Sequence, residues 1–194
     1  MTMVYRVYVE KREGFDVEAK ALADDVRALL QVPGLTKVRL FNRYDVSGVS
    51  DELFEEATRT IFSEPQLDTV FAELPKVPGA HVFAVEYQPG QFDQRADSAA
   101  QCIQILSQGE RPAVRNARVY LLEGDLSDAD VEAIKRHVIN PVEAREASLD
   151  PVDTLQETPR SPEPVATVSG FRDLDQDGLV ELQGTYGFAM DLDD

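Results

Sequence analysis

The apolar positions of the first 77 residues switch between the spacing of strands and the spacing of helices. Val and Tyr dominate residues 4–11, which favours a strand, and apolar side chains recur every third or fourth position in residues 22–30, which is typical of a helix face. The pattern predicts, in order, a strand over residues 4–11, a helix over residues 22–30 that stops before Pro33-Gly34, a short hairpin over residues 37–47, a helix capped by Ser50, and a strand over residues 67–73.

The same succession returns in residues 78–148. Three echoes agree in order and spacing, about 76 residues apart: Val9-Glu10 with Val85-Glu86, Val38-Arg39 with Val114-Arg115, and Val49-Ser50-Asp51 with Leu126-Ser127-Asp128. The residues that follow the first echo also correspond, with one residue inserted in the second copy: Gly14, Phe15 and Asp16 match Gly90, Phe92 and Asp93. The second set of predicted elements is a strand over 81–87, a helix over 95–107, a hairpin over 114–123, a helix over 128–138 and a strand over 142–147.

We therefore predict an α+β fold made by tandem duplication of a ferredoxin-like βαββαβ unit. The first copy takes residues 1–77 and the second takes residues 78–148. A unit of about 75 residues has little core of its own. The two copies should consequently pack as a pseudo-dimer in which antiparallel sheets are faced by helices.

Residues 149–194 differ in composition from the rest of the chain. They carry about nine of the net negative charges. Pro151, Pro159, Pro162 and Pro164 lie near their start, and proline denies helices and sheets a backbone donor. We interpret this part as an acidic linker.

The composition of the chain excludes several classes of function. Of the 194 residues 43% are apolar, which is enough for a core and argues against a disordered regulator. A formal net charge of −17 repels nucleic acid and anionic lipid, so partners should be proteins or small molecules. With Cys102 as the one cysteine and no run near the roughly 20 apolar residues of a membrane span, we expect a cytoplasmic protein.

Asp173 to Gly178 match the first half of a calcium-binding EF-hand loop, in which alternating carboxylates and a turn glycine surround the ion. The twelfth position of such loops is a bidentate Glu, and here it is Gly184. An acidic helix start is therefore the favoured interpretation.

Other residues of catalytic type are expected to be structural. His81 begins a predicted strand and His137 ends a predicted helix, where a cation neutralises the terminal carbonyls. Cys102 lies on or beside the apolar face of its helix and should be buried. Gly14 and Gly90 follow strands singly, which falls short of a phosphate-binding loop. We predict no catalytic residue, metal site or cofactor in this segment.

Polar residues mixed with aromatics mark several predicted connections. Turn chemistry and a protein or ligand interface explain them equally well. Arg95 is the strongest interface residue, because a guanidinium between Asp93 and Asp97 can be held in a fixed orientation. The interface or substrate-channel residues that we predict are Asn42, Arg43, Tyr44, Asp45, Gln91, Asp93, Gln94, Arg95, Asp97 and Asn140.

Five stretches share a resemblance to one enzyme family. They are Val4 to Lys11, Phe41 to Asp45, Phe62 to Pro65, Gly90 to Cys102 and Ile139 to Glu143. Together they resemble the N-terminal region of the large single-chain phosphoribosylformylglycinamidine synthases, or FGAM synthases. The resemblance covers essentially the whole chain, and the run from Gly90 to Cys102 is its most specific part.

The resemblance implies a part in purine biosynthesis. These enzymes are glutamine-hydrolysing ligases that use ATP and magnesium to convert formylglycinamide ribonucleotide to formylglycinamidine ribonucleotide. Their N-terminal domain is similar to a dimer of the small PurS-type subunit, and an acidic linker, a synthetase core and a glutaminase domain follow it. The chain would then pack on the synthetase core as an assembly domain and help form the ammonia route, with no activity of its own.

Two other functions stay open at this point. A free-standing ferredoxin-like regulatory domain would bind a small metabolite in the cleft between the copies. A calcium-binding protein would use the Asp173 loop. Titration of the isolated chain with calcium and with purine intermediates separates these functions from an assembly module, for which we expect weak or no binding.

Overall fold

The structure, a computed structural model, describes residues 3–155 and 167–186, which fall into two compact units. In the larger unit, strands and helices alternate in the same order twice. The elements are β1 Val4–Lys11, α1 Val17–Leu29, β2 Leu35–Ser47, α2 Asp51–Ala57 and β3 Asp68–Phe71, then β4 His81–Tyr87, α3 Gln94–Ser107, β5 Ala113–Gly124, α4 Asp128–Val138 and β6 Ala144–Ala147. A π-helical turn over Thr58–Phe62 extends α2.

The six strands form one antiparallel sheet in the order β3-β1-β2-β5-β4-β6. The long strands β2 and β5 are the central pair. Their register places Ser47 opposite Ala113 at one end and Leu35 opposite Gly124 at the other. The fold is therefore α+β, as predicted, with β2 and β5 joining two three-stranded halves into a single sheet.

The two predicted hairpins, over residues 37–47 and 114–123, are wrong. Each stretch lies within one long strand, so each half is βαβαβ rather than βαββαβ. Polar residues in the middle of each stretch suggested a turn. However, neither stretch contains a Gly or Pro to reverse the chain, and the two strands pair with each other along almost their whole length.

The helices cover one face of the sheet in two groups. Over the first part of β2, side chains of α1 and α4 such as Val26 and Ile134 pack into one buried cluster with Phe83 of β4. Over the last part of β2, α2, the π-helical turn and α3 pack around Tyr44 and Val46. Because α1 comes from the first half and α4 from the second, the first cluster belongs to both halves.

Two connecting segments lie against the opposite face. Leu74 and Val77, between β3 and β4, pack against a cluster that includes Phe41 of β2 and Leu121 of β5. The chain after β6 also belongs to the larger unit, since Leu155 is buried and its carbonyl accepts a hydrogen bond from Arg115. Part of the stretch that we predicted to be linker, residues 149–155, thus contributes to this unit.

The predicted helix starts at Ser50 and Ser127 are confirmed. The Ser50 hydroxyl accepts from the Leu53 amide at 3.3 Å. Ser127 and Asp130 form a capping box, in which each side chain accepts from the other residue's amide. Such caps satisfy amide groups that the first turn of a helix leaves without partners. The helix predicted over residues 128–138 matches α4 at both ends.

The smaller unit contains a short 3₁₀ turn, Phe171–Asp173, and helix α5, Gln176–Tyr186. The Asp175 carboxylate accepts from the Gly178 amide at 2.9 Å. The stretch with EF-hand character is therefore an acidic helix start, the interpretation that the sequence favoured. Pro159, Pro162 and Pro164 lie outside the described residues, as does the sequence after Tyr186.

In the described residues, no helix combines the length and the apolar character needed to cross a membrane.

Candidate functional site

A polar cleft lies on the helical face of the larger unit, above the middle of β2 and β5. It comprises a broad groove beside α1 and a smaller cavity of about 680 Å³ beside α3. Both helix groups contribute to its walls. Among the described residues, six side chains line both parts: Glu18, Asn42, Tyr44, Ile61, Arg95 and Arg118.

Arg118 on β5 lies at the base of this cleft. Its Nη1 donates to Oδ1 of Asn42, the residue directly opposite on β2, at 2.7 Å. Its Nη2 donates to the carboxylate of Glu18 in the first turn of α1. The Arg118 side chain is only 23% exposed, whereas that of Glu18 is 75% exposed. A half-buried guanidinium is therefore held on one side by the sheet and on the other by a surface carboxylate.

Arg95 reaches the same cleft from the first turn of α3. It is exposed, and its Nη1 donates to the Tyr44 hydroxyl at 3.5 Å. The predicted arrangement between Asp93 and Asp97 is not found. Asp93 accepts from the Ala96 amide as the helix cap, and Asp97 pairs with Arg111. Residues two apart on a helix point in different directions, so these carboxylates do not bracket Arg95.

The predicted interface stretch 42–45 lies in the middle of β2 rather than in a connection. Because side chains alternate along a strand, the stretch divides between the two faces of the sheet. Asn42 and Tyr44 face the cleft. Arg43 and Asp45 lie on the opposite face and are 4% and 2% exposed. The prediction of an exposed loop is thus wrong for these residues.

Arg43 and Asp45 belong to a buried ionic cluster with Arg6 of β1. The Arg43 Nε lies 3.2 Å from Oδ2 of Asp45, and its Nη1 donates to the Ser148 carbonyl at 2.7 Å. Burial lowers the pKa of the Arg43 guanidinium and outweighs the attraction of Asp45. Burial is also the largest influence on Arg6, but there the hydrogen bond and the charge of Asp45, together with Tyr8, outweigh it and the pKa is raised. This cluster joins β1 and β2 to the chain after β6.

Of the remaining predicted residues, some line the cleft and others do not. Gln94 and Asn140 line the smaller cavity together with Asn42, Tyr44 and Arg95. Gln91 is exposed in the turn before α3, where its backbone amide donates a hydrogen bond to the Gln88 carbonyl. Five of the ten predicted residues therefore share one cavity: Asn42, Tyr44, Gln94, Arg95 and Asn140.

Sequence reasoning missed Glu18 and Arg118, which the cleft brings together across 100 positions. A signal was present, because Arg118 follows the echoed Val114-Arg115 pair by the same interval at which Asn42 follows Val38-Arg39. Cys102, predicted to be buried, is exposed on α3 and lines the smaller cavity. Its neighbour Ile103 takes the buried position instead, since adjacent helical residues point in different directions.

Within residues 3–155 and 167–186 there is no group of three or more His, Cys, Asp or Glu side chains that could hold a metal ion. His81 begins β4 and His137 lies in the last turn of α4, as predicted. The cleft is lined by guanidinium, amide and hydroxyl groups, which can bind anionic or polar partners, and also by carboxylates such as Glu18 and Glu143.

The fold and the cleft together define an α+β protein built on one antiparallel sheet, with a polar cleft on its helical face. A scan against protein-family models gives no match to the chain, and a search of curated proteins finds no relative.

Proposed function

We propose that this chain is the N-terminal assembly domain of a single-chain FGAM synthase, and that residues 1–148 are a PurS-like tandem duplication folded as a pseudo-dimer. The resemblance of five sequence stretches motivates the proposal. A specific feature of the central strand pair supports it.

That feature is the pairing of Asn42 with Arg118. The sequence echoes relate residues about 76 positions apart, and Asn42 and Arg118 are related by the same interval. At this point a residue of one half pairs with its own counterpart in the other half. A two-fold axis imposes this relation where two copies of one unit meet, as in an isologous dimer. The strand order β3-β1-β2-β5-β4-β6 reads the same from both edges under this correspondence.

The distribution of exposed aromatics also favours a docking role. Phe15 and Phe92 occupy matching positions in the turns before α1 and α3, and they are 53% and 69% exposed. Aromatic side chains are enriched in protein interfaces. By this proposal, the turns before α1 and α3 contact the synthetase core and help enclose the ammonia route, with Arg95 beside the second turn as a contact residue.

Reconstitution in trans tests the proposal. The chain is added to a synthetase core that lacks its N-terminal domain, and binding and glutamine-dependent formation of FGAM are measured. We expect the wild-type chain to bind and restore activity, while the chain alone neither hydrolyses glutamine nor forms product.

Two variants make the test specific. Phe92→Ser and Arg95→Ala should weaken binding and rescue, whereas Arg136→Ala on the exposed part of α4 should not. Their melting temperatures are compared first. A folded wild-type chain that neither binds nor rescues contradicts the assembly role. Full rescue by both Phe92→Ser and Arg95→Ala contradicts the assignment of the interface.

A further inference from the structure

The cleft contains a cluster of side chains of which the proposed assembly role uses only Arg95. Arg95 and Arg118 come from a helix and a central strand, yet both line the same cavity. The protein as a whole carries a net charge of −17, so its long-range field repels anions. The carboxylates of Glu18, Glu86 and Glu143 also line this cavity. Glu18 is paired with Arg118 and Glu86 with Arg145, so an anion bound beside the two guanidinium groups would meet mostly carboxylates that already have a cationic partner.

The contacts of Arg118 indicate what kind of ligand the cavity takes. Asn42 fixes one edge of the guanidinium from the sheet. The other edge binds the carboxylate of Glu18, whose side chain is 75% exposed. An ion pair with one exposed partner is weakened, because water competes for the exposed carboxylate. Glu18 thus occupies a position that an external carboxylate or phosphate group could take instead.

The location of Arg95 also favours an anionic ligand. A cation in the first turn of a helix is disfavoured by the helix dipole, which is positive at that end. Arg95 nevertheless lies in the first turn of α3 and extends to the Tyr44 hydroxyl. An anion bound there would interact favourably with both the guanidinium and the helix end.

The rest of the cavity is suited to an uncharged, partly apolar body. Its volume of about 680 Å³ falls within the usual range for small-molecule sites. Apolar and aromatic side chains lie there together with amides, beside the carboxylates of Glu86 and Glu143. They include Ile61, Val85, Ala99, Tyr120, Asn116 and Asn140.

We propose that this cleft is a binding site for a small organic anion. Arg95 and Arg118 bind its carboxylate or phosphate group, the anion displaces Glu18 from Arg118, and the neighbouring apolar side chains contact the body of the molecule. This site goes beyond the assembly role and does not depend on it.

Cys102 provides a direct assay. It is the single cysteine of the chain, is exposed, and lines the cavity, so neutral iodoacetamide labels one position beside the site. The alkylation rate is measured at constant ionic strength with increasing phenyl phosphate, benzoate or inorganic phosphate. We expect saturable protection by phenyl phosphate or benzoate, and weaker protection by inorganic phosphate because it lacks an apolar body. The two aromatic probes distinguish a phosphate site from a carboxylate site.

Matched variants identify the groups responsible. Arg95→Gln and Arg118→Gln should each weaken protection by about tenfold, the effect of losing one charge-assisted contact, whereas Arg136→Gln should leave it unchanged. Glu18→Gln should strengthen protection severalfold relative to Glu55→Gln, which removes the same charge from the surface of α2. Because Glu18→Gln retains both arginines, it tests the site even if an arginine variant fails to fold.

Four results would contradict the proposal. One is the absence of saturable protection by either aromatic probe. Another is a loss of protection in Arg136→Gln as large as that in Arg95→Gln and Arg118→Gln, because this would indicate only a general effect of charge. The third is a Glu18→Gln variant that binds no more tightly than Glu55→Gln. Protection by inorganic phosphate as strong as that by phenyl phosphate contradicts the assigned ligand class.

Discussion

Arg6 binds both carboxylate oxygens of Asp45 on the sheet face opposite the helices. Its Nε donates to Oδ1, and its Nη2 donates to Oδ2 at 3.2 Å. The remaining Nη1 donates to the carbonyls of Leu149 and Asp150, each at 2.9 Å. One arginine therefore connects β1, β2 and the chain that follows β6. The Arg6 and Asp45 side chains are 14% and 3% exposed, so water competes little for these bonds.

Asp45→Asn should lower the free energy of unfolding by about 3 kcal/mol, because Arg6 and Arg43 would remain buried without their negative partner. Urea denaturation provides the measurement. Asp24→Asn is the matched control, since Asp24 is 78% exposed in its pair with Arg27 and should contribute less than about 1 kcal/mol. An equal loss of unfolding free energy in the two variants would show that the buried cluster stabilises the protein no more than an exposed ion pair does.

Gly34→Ala should destabilise the larger unit by about 2 kcal/mol or more, because a Cβ at this position would lie 2.1 Å from the Asp125 carbonyl oxygen and force the backbone to move. Gly109→Ala is the control, since the nearest atom to its Cβ would be the Ser107 hydroxyl oxygen at 3.4 Å, an ordinary contact distance. Thermal unfolding measures the stability of the two variants. A Gly34→Ala protein as stable as Gly109→Ala would contradict the close approach of the two chain segments.

The Asp130 carboxylate should stabilise the protein in a pH-dependent manner. Hydrogen bonds from the Ser127 side chain and backbone lower its pKa in the folded state. A lowered pKa means that the contribution is present above the unfolded value of about 4 and is lost as the pH falls through the folded value. The stability difference between wild type and Asp130→Asn should therefore shrink on acidification.

A double-mutant cycle is the control for this effect. In a Ser127→Ala background, Asp130→Asn should have a smaller effect at neutral pH, because its strongest partner is gone. Additive effects at pH 7 would show that the two side chains do not act together.

Asp175→Ala should reduce the helicity of α5, because the cap on the Gly178 amide is lost, at a cost of about 1 kcal/mol. Circular dichroism should give the same change with and without micromolar calcium. A calcium-dependent gain in helicity or melting temperature that disappears in Asp175→Ala would instead support a calcium site.

The halves of the larger unit should unfold together. Val26 and Ile134 are both fully buried in one cluster, yet they come from different halves. Ile134→Ala should cost about 3 kcal/mol and Val26→Ala somewhat less, and each should move one shared transition. Hydrogen exchange in both halves provides the measurement. Loss of protection confined to the mutated half would contradict this coupling.

Several elements could be predicted from the sequence because their signals are local. Ser127 followed by acidic residues indicated the start of α4, and the richness of residues 4–11 in Val and Tyr identified β1. Asp175 and Gly178 indicated a helix start. By contrast, Asn42 and Arg43 suggested a turn, because polar residues in a strand centre are unusual without knowledge of their partners.

The sequence by itself determined the alternation of strands and helices outside the two predicted hairpins, the helix caps and the recurrence at about 76 positions, because each depends on residues close together in the chain or on direct comparison. Only the tertiary structure decided that β2 and β5 are continuous and pair with each other, that Asp45 is buried between Arg6 and Arg43, and that Glu18 meets Arg118. These relations depend on which distant strand supplies a hydrogen-bond partner or an opposite charge. A polar side chain is stable in a strand or in the interior only when such a partner is present, and local sequence carries no record of it.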